Sequence, residues 1–294
     1  MRAVLVTRFG GPNVLEVGEV EQPAPISTEV LVRVTAAGVN PVDCKTRRGE
    51  GVARWLGPPP FIVGWDVCGT VEAEGYGVTR FEVGDVVFGM PRFPRSAGGY
   101  AEYVTAPSRQ FARVPEGMSP EEAAALPLAA LTAWQCLVDA AQIKNGDTVL
   151  VHGASGGVGH LAVQIATSRG ANVVAGKNRA DRDALAARDV DVALDLVGGG
   201  DTDALLATLR EGGILLAVAD GADEGLKAKA IRRGVRVVEP LVEPDGRGLE
   251  EIAKLVESGR LRVNVEEVFP LEQAARAHEA LEKGGRTGKL VLRP

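Results

Sequence analysis

The chain is 294 residues long, 45% hydrophobic, with a formal net charge of -6. That is enough apolar material for two domains with a core each, and an acidic balance with no run of basic residues disfavours a nucleic-acid or anionic-membrane partner. Three cysteines, Cys44, Cys68 and Cys136, are odd in number and far apart, which gives no disulfide framework and no paired zinc spacing and fits a reducing, cytoplasmic setting.

The chain opens on MRAVLVTRFGG, an apolar run too short for a signal-peptide core, and no later segment approaches the roughly 18 uninterrupted apolar residues of a membrane span. Residues 1–118 read as β-rich: AVLV, EVLVRVTA, DVCGTVEAEG, GDVVFG and GYAEYVTA are short apolar or alternating runs separated by Gly, Pro and Asp. At Ser119 the texture changes. Ser119 as N-cap, Pro120 at the first helical position and Glu122 three residues after the cap predict a helix start, and Ala- and Leu-rich helical sequence runs to about Ala141. From TVLVHG (148–153) onward strand and helix alternate. ANVVAG, VDVALDLVG, GILLAVAD and GVRVVEPLV are continuous apolar runs, as parallel strands covered on both faces are. GVGHLAVQIATSR, closed by Gly170, and EEIAKLVESGR read as helices, and GKLVLRP as a strand returning to the first domain.

The loop between the strand at 148 and the helix that follows contains Gly153, Ala154, Ser155, Gly156, Gly157 and Val158. At such a junction a pyrophosphate can rest on free N–H groups at the helix N-terminus, where the dipole favours negative charge, provided side chains do not block the approach. Gly153, Gly156, Gly157 and Gly159 remove them, and Gly159 also lets the helix pack close to the sheet; Ala154 stands where the common GxGxxG pattern has its first glycine. The next strand ends in Lys177, Asn178 and Arg179 rather than a carboxylate. A carboxylate there would hold a ribose 2′-hydroxyl and repel a 2′-phosphate, so two cations flanking an amide favour NADPH over NADH.

With AAGVNPVD (36–43), GWDVCGTVEAEG (64–75), GGYAEYV (98–104), LPLAALTAWQCL (126–137), VHGASGGVG and GRTGKLVLRP added, nearly the whole chain resembles the zinc-free quinone oxidoreductase branch of the medium-chain dehydrogenase/reductase superfamily. The resemblance implies an α/β protein. A GroES-like β domain, residues 1–118 with 262–294, would carry the substrate side, and a Rossmann-type doubly wound parallel sheet, residues 119–261, would bind the dinucleotide. It also implies hydride transfer from NADPH to a small-molecule electron acceptor, a quinone or an α,β-unsaturated carbonyl compound, and pairing of two copies through edge strands. Where zinc relatives have their first cysteine and a Gly-His-Glu, this chain has Asn40 and Gly64-Trp65-Asp66, so no metal site is expected. His152, His160 and His278 read as structural residues.

By the same resemblance Asn40 and Thr132 are expected near the nicotinamide, Asn40 on substrate oxygen and Thr132 on the cofactor. Val197 and Gly198, Val218, Ala219, Asp220 and Gly221, and Pro240, Leu241 and Val242 follow successive strands at the carboxyl edge, where ligands bind in open α/β sheets. One departure stands out. KNRADRDALAARD, between the second strand and VDVALDLVG, is long enough for one crossover helix but not for a further strand. Either the sheet lacks an edge element or the polypeptide has a segment that this sequence omits. Two other functions stay open: a catalytically silent NADPH-binding sensor or structural protein, and an enoyl-thioester reductase.

Overall fold

The computed structural model describes residues 1–176, 189–219, 221–285 and 287–294. In chain order its strands are β1 (Arg2–Val6), β2 (Leu15–Glu19), β3 (Glu29–Val39), β4 (Phe61–Ile62), β5 (Asp66–Glu74), β6 (Val86–Gly89), β7 (Tyr103–Pro107), β8 (Phe111–Arg113), β9 (Thr148–His152), β10 (Asn172–Gly176), β11 (Val190–Asp195), β12 (Leu209–Ala217), β13 (Arg236–Val238), β14 (Val265–Pro270) and β15 (Lys289–Arg293). The helices are α1 (Pro41–Arg47), α2 (Pro120–Ala125), α3 (Pro127–Trp134), α4 (Gly159–Ser168), α5 (Thr202–Thr208), α6 (Glu224–Arg232), α7 (Gly246–Glu257) and α8 (Ala274–Glu282). None of the described helices is long and apolar enough to cross a membrane.

By their internal contacts the residues form two units, Met1–Leu131 with Glu243–Pro294, and Thr132–Val242. Sequence texture instead divides them at 118/119 and 261/262, and the difference is where α2 and α7 pack. A methyl group on Gly38 of β3 would fall 2.4 Å from the Ala124 carbonyl, so α2 rests on the β-rich unit with nothing between the backbones. α7 packs along β8 and is tied there by the 2.6 Å Arg80–Glu250 ion pair.

The first unit holds a sheet in the order β14-β15-β3-β5-β6-β8, with β7 also on β3, and a three-stranded sheet β2-β1-β4. β3 is its spine, buried along nearly all of its 11 residues and pairing antiparallel with β5, β7 and β15. The apolar residues of these strands make one core, with Phe269, Leu271 and Ala277 from the C-terminal part of the chain closing it. The start of α2 follows the expected cap: Glu122 N–H donates to Ser119 Oγ (3.2 Å) and Ser119 N–H to Glu122 Oε2 (3.0 Å). The Ala- and Leu-rich helical sequence to about Ala141 forms α2, α3 and a π-helical stretch Gln135–Ala140. Pro127 supplies no N–H and cannot continue the turn before it, so a new helix begins there.

Among the described residues the second unit has one five-stranded parallel sheet, β10-β9-β11-β12-β13. Among the described residues this is the 3-2-1-4-5-6 order of a dinucleotide fold without its third strand, with β10 at the edge. Residues 177–188 of the short connection, on which the choice between a lost edge element and an omitted segment falls, lie outside the described ones. β9 is flanked by the strands that follow it in either direction, which makes its carboxyl end the switch point where ligands enter.

Candidate functional site

The loop after β9 is built from backbone. Gly153 has φ +89°, a conformation suited to glycine, and the N–H groups of Gly153 and Ala154 both donate to Gly176 O at 2.9 Å, closing the loop onto the end of β10. Gly156 N–H turns back to Gly153 O (3.0 Å), and the first helical bond of α4 is His160 N–H to Gly156 O (3.0 Å). The N–H groups of Gly157, Val158 and Gly159 therefore precede the hydrogen-bonded helix, as the anion-binding end of a helix requires. A methyl on Gly159 would lie 2.1 Å from Gly153 O, whereas one on Gly156 would meet only that same oxygen, at 3.4 Å, and otherwise enter open space. Gly159 is needed for packing; Gly156 keeps a cradle empty. The unpaired N–H groups of half-buried Gly157 and Val158, together with the cradle, fit the pyrophosphate of a nicotinamide dinucleotide.

Next to this loop Asp195, at the end of β11, gathers four donors. Its Oδ1 accepts from Val197 N (3.0 Å), Gly198 N (2.9 Å) and His152 Nδ1 (3.1 Å), and its Oδ2 from Thr202 Oγ1 (2.9 Å). A carboxylate can only accept, so His152 carries its proton on Nδ1. Burial works against the charge, but the Gly198 and Val197 N–H groups, His152 and Thr202 outweigh it and hold the carboxyl below its ordinary pKa. The sequence reading expects Val197 and Gly198 at the site but names no acid that fixes their turn; the signal for Asp195 is an aspartate closing an apolar strand just before Val-Gly-Gly.

Val218 N–H donates to Asp195 O (3.0 Å), and Ala222 N–H to Glu239 Oε1 (2.9 Å), so the turns after β12 and β13 are tied along the same edge. Val218, Ala219 and Gly221 lie on that edge, followed by Pro240, half-exposed Leu241 and buried Val242. A cavity of about 470 Å³ opens there between the starts of α5 and α6, lined among others by Asp203, Asp223 and Lys229. Its two carboxylates suit it less to phosphate than the glycine loop. Lys177, Asn178, Arg179 and Asp220 lie outside the described residues. Thr132 is buried on α3, at the start of the second unit.

Asn40 belongs to the first unit, where it is 2% exposed as the N-cap of α1. Its Nδ2 donates to Asp66 Oδ2 (2.8 Å) and its Oδ1 accepts from Lys289 Nζ. Asp66 Oδ1 takes the Leu128 N–H (2.7 Å), and the Lys289 ammonium lies 3.7 Å from Asp66 Oδ2. The expectation that Asn40 addresses substrate is thereby narrowed: the amide oxygen is spent inside the protein, and so is one of the two N–H groups. Burial pushes the Asp66 carboxyl up against the pull of Lys289 and Asn40, and pushes Lys289 down against the pull of Asp66 and Asp43.

A second buried chain adjoins it. Asn40 N–H donates to Asp43 Oδ2 (2.7 Å), as does the Tyr100 hydroxyl (3.0 Å); Tyr100 also meets His278 Nε2 (3.2 Å), whose Nδ1 faces Arg47 Nη1 (3.2 Å). Burial raises the Asp43 carboxyl to about 7 and, with Arg47, lowers His278 to about 3. Asp43 Oδ1 is buried with no partner, which a neutral carboxyl tolerates better than a charged one.

Zinc does not fit here. Catalytic zinc needs three anionic or imidazole donors and an open position, whereas Asn40 offers an amide, Asp66 is met by an ammonium, and Trp65 is buried with its indole N–H on Arg95 O (2.7 Å). Cys44, Cys68 and Cys136 are free and buried, their thiols pushed up to about 12 by burial. Among the described residues no group of three or more His, Cys, Asp or Glu could hold a metal ion.

Residues 26–116 match the model of the alcohol dehydrogenase GroES-like domain, and residues 168–292 that of a zinc-binding dehydrogenase. The quinone oxidoreductase of Pongo abelii is 32% identical in an alignment of 326 positions that takes in 99% of this chain and 97% of the relative. Since this chain has 294 residues, the relative has residues without a counterpart here. Among solved structures, the quinone oxidoreductase of Coxiella burnetii superposes with a TM-score of 0.91 at 33% identity, covering 100% of this chain and 99% of that one. A mycobacterial protein solved with NADPH gives 0.86 at 33%, covering 100% of both.

Proposed function

The chain belongs to the zinc-free quinone oxidoreductase branch of the medium-chain dehydrogenase/reductase superfamily, and from that premise we propose that it transfers a hydride from NADPH to a quinone or an α,β-unsaturated carbonyl compound without a metal ion. Membership makes it an NAD(P)H oxidoreductase acting on a small molecule. The 2′-phosphate, the acceptor class and the zinc independence are the proposed part. The observation that carries the reading is the loop at the end of β9, with free N–H groups at 157–159 and a cradle at Gly156 that any side chain would fill.

When bound, the nicotinamide supplies the hydride; the protein's own groups bind, orient and exclude water. The N–H groups of Gly157 and Val158 hold the pyrophosphate, with Gly153, Ala154, Ser155 and Gly156 shaping its bed. Lys177, Asn178 and Arg179 take the 2′-phosphate. Val197 and Gly198, kept in place by Asp195, line the crevice with Val218, Ala219 and Gly221, and Pro240, Leu241 and Val242 bound it further along; Asp220 is assigned to the same stretch by the sequence alone. Thr132 addresses the cofactor and Asn40 the acceptor oxygen, and the proton that completes the reduction comes from solvent. The three buried thiols suit a reducing compartment, for which the cytoplasm is proposed, and a pair of copies is the proposed assembly.

Titration with NADPH and NADH, followed by NADPH consumption with a panel of quinones, enones and one enoyl thioester, tests the reading. Turnover of quinones or enones supports it. Binding of NADPH without turnover of any acceptor would sink it in favour of a silent nucleotide-binding protein, and turnover of the thioester alone would move the substrate class.

A further inference from the structure

The side-chain amide of Asn40 is held from both sides by groups that can bond it in only one way. Lys289 has donors and no acceptor, so it can meet only the amide oxygen; an ionised Asp66 has acceptors and no donor, so it can meet only the amide nitrogen. The amide therefore has one orientation, and one of its two N–H groups is assigned. Asp66 is itself anchored, its other oxygen taking the backbone N–H of Leu128 at 2.7 Å. Asn40, Asp66 and Lys289 are at most 5% exposed, so solvent does not compete for these bonds. An ammonium on the carbonyl oxygen also draws electron density from the amide, which strengthens its remaining N–H as a donor.

We propose that Lys289 and Asp66 are positioning residues for Asn40: they orient and polarise its amide so that the remaining N–H is presented to the acceptor oxygen on which negative charge develops during reduction. This rests on the reductase reading given above. In it, an ammonium and a carboxylate at β15 and β5 act through an amide at the start of α1, and the single free donor does part of what a Lewis acid would do at that oxygen. Asp43, the other carboxyl facing this cluster, is bound to the Asn40 backbone N–H and not to its side chain.

The test compares Lys289→Met, Lys289→Arg and Asp66→Asn by kcat and KM across pH, and by the resonances of the Asn40 side-chain amide in protein labelled at asparagine nitrogen. Lys289→Met should lower kcat about ten-fold or more while leaving KM for NADPH within about two-fold. Without the ammonium the Asp66 carboxyl titrates higher, and once protonated it no longer selects the amide nitrogen. The kcat of Lys289→Met should thus fall on acidification where the wild type is flat. Asp66→Asn, with one oxygen left for two donors, should also lose kcat, and Lys289→Arg should retain most of it. In the amide spectrum, Lys289→Met should shift the Asn40 pair and Lys289→Arg should shift it less. Wild-type kcat and an unshifted Asn40 amide in folded Lys289→Met would overturn the proposal. If Lys289→Met fails to fold, a kcat in Asp66→Asn equal to wild type overturns it. If no acceptor is turned over by the wild type, the reductase reading fails separately, and an unchanged Asn40 amide in all three variants then overturns the positioning claim as well.

Discussion

Arg47 and His278 meet inside the first unit with Nη1 and Nδ1 3.2 Å apart, and because a guanidinium only donates, the imidazole holds its proton on Nε2. From there the direction of every bond is set: Nε2–H to the Tyr100 oxygen, and the Tyr100 hydroxyl to Asp43 Oδ2 at 3.0 Å.

This chain predicts two opposed pH dependences of stability. His278, lowered from 6.5 to about 3, binds a proton more readily in the unfolded chain, so it removes stability as pH falls below 6.5. Asp43, raised from 3.8 to about 7, binds its proton more readily in the folded chain. Its contribution is whole below 3.8 and lost as pH rises to about 7. Each slope is at most about 1.4 kcal/mol per pH unit, and between pH 4 and 6.5 they largely cancel. Asp43→Asn, whose oxygen can still accept from Asn40 and Tyr100, should leave a protein losing stability toward acid. His278→Gln should leave one losing stability toward neutrality. Urea unfolding across pH checks both, and two flat profiles would contradict the assignment.

The two glycines of the loop after β9 should fail differently. Gly156→Val places its side chain in open space next to Gly153 O, so thermal stability should stay within about 1 kcal/mol of wild type while NADPH binding is lost. Gly159→Ala drives a methyl into Gly153 O and the Ala154 Cα, and should lower stability and binding together. Unchanged NADPH affinity in Gly156→Val would remove the loop from the site.

How legible this was in the sequence follows from the distance over which each feature is determined. The Ser119 cap and the parallel strands are local patterns and stand as read, and the strand, glycine turn and helix at 148–168 lie where the sequence puts them. The break at Pro127 is also local, but the helical composition on either side of it is continuous and masks it. Counting residues in KNRADRDALAARD leaves room for a crossover helix and not for a further strand, which leaves both a lost edge element and an omitted segment open. The Asn40–Asp66–Lys289 cluster was not legible, since Asn40 and Lys289 are 249 positions apart and only the antiparallel pairing of β15 with β3 brings them together. The same holds for His278 and Tyr100, 178 positions apart.

Chelation should leave turnover unchanged, and metal analysis of purified protein should find no stoichiometric zinc, because the places of the expected ligands hold the amide of Asn40, the indole of Trp65 and the ammonium-paired Asp66. Loss of turnover on chelation, restored by added zinc, would contradict the metal-free reading.

Replacing Lys177 and Arg179 together by Ala should weaken NADPH by about ten-fold or more and NADH hardly at all, each cation contributing roughly 1.5–3 kcal/mol to the 2′-phosphate. Competition binding with the two nucleotides measures it. Equal losses for both would withdraw the phosphate assignment, and intact mass near 30.8 kDa would first establish that the short connection between β10 and β11 belongs to the native chain.

The most direct test of hydride transfer uses NADPH deuterated at C4, on the face the enzyme selects, with an enone as acceptor and mass spectrometry of the product. The account predicts one deuterium on the carbon β to the carbonyl and a solvent proton on the α carbon, with label transfer lost in Gly156→Val. A reduced product without deuterium from labelling of either face, or no product with NADPH bound, would contradict it.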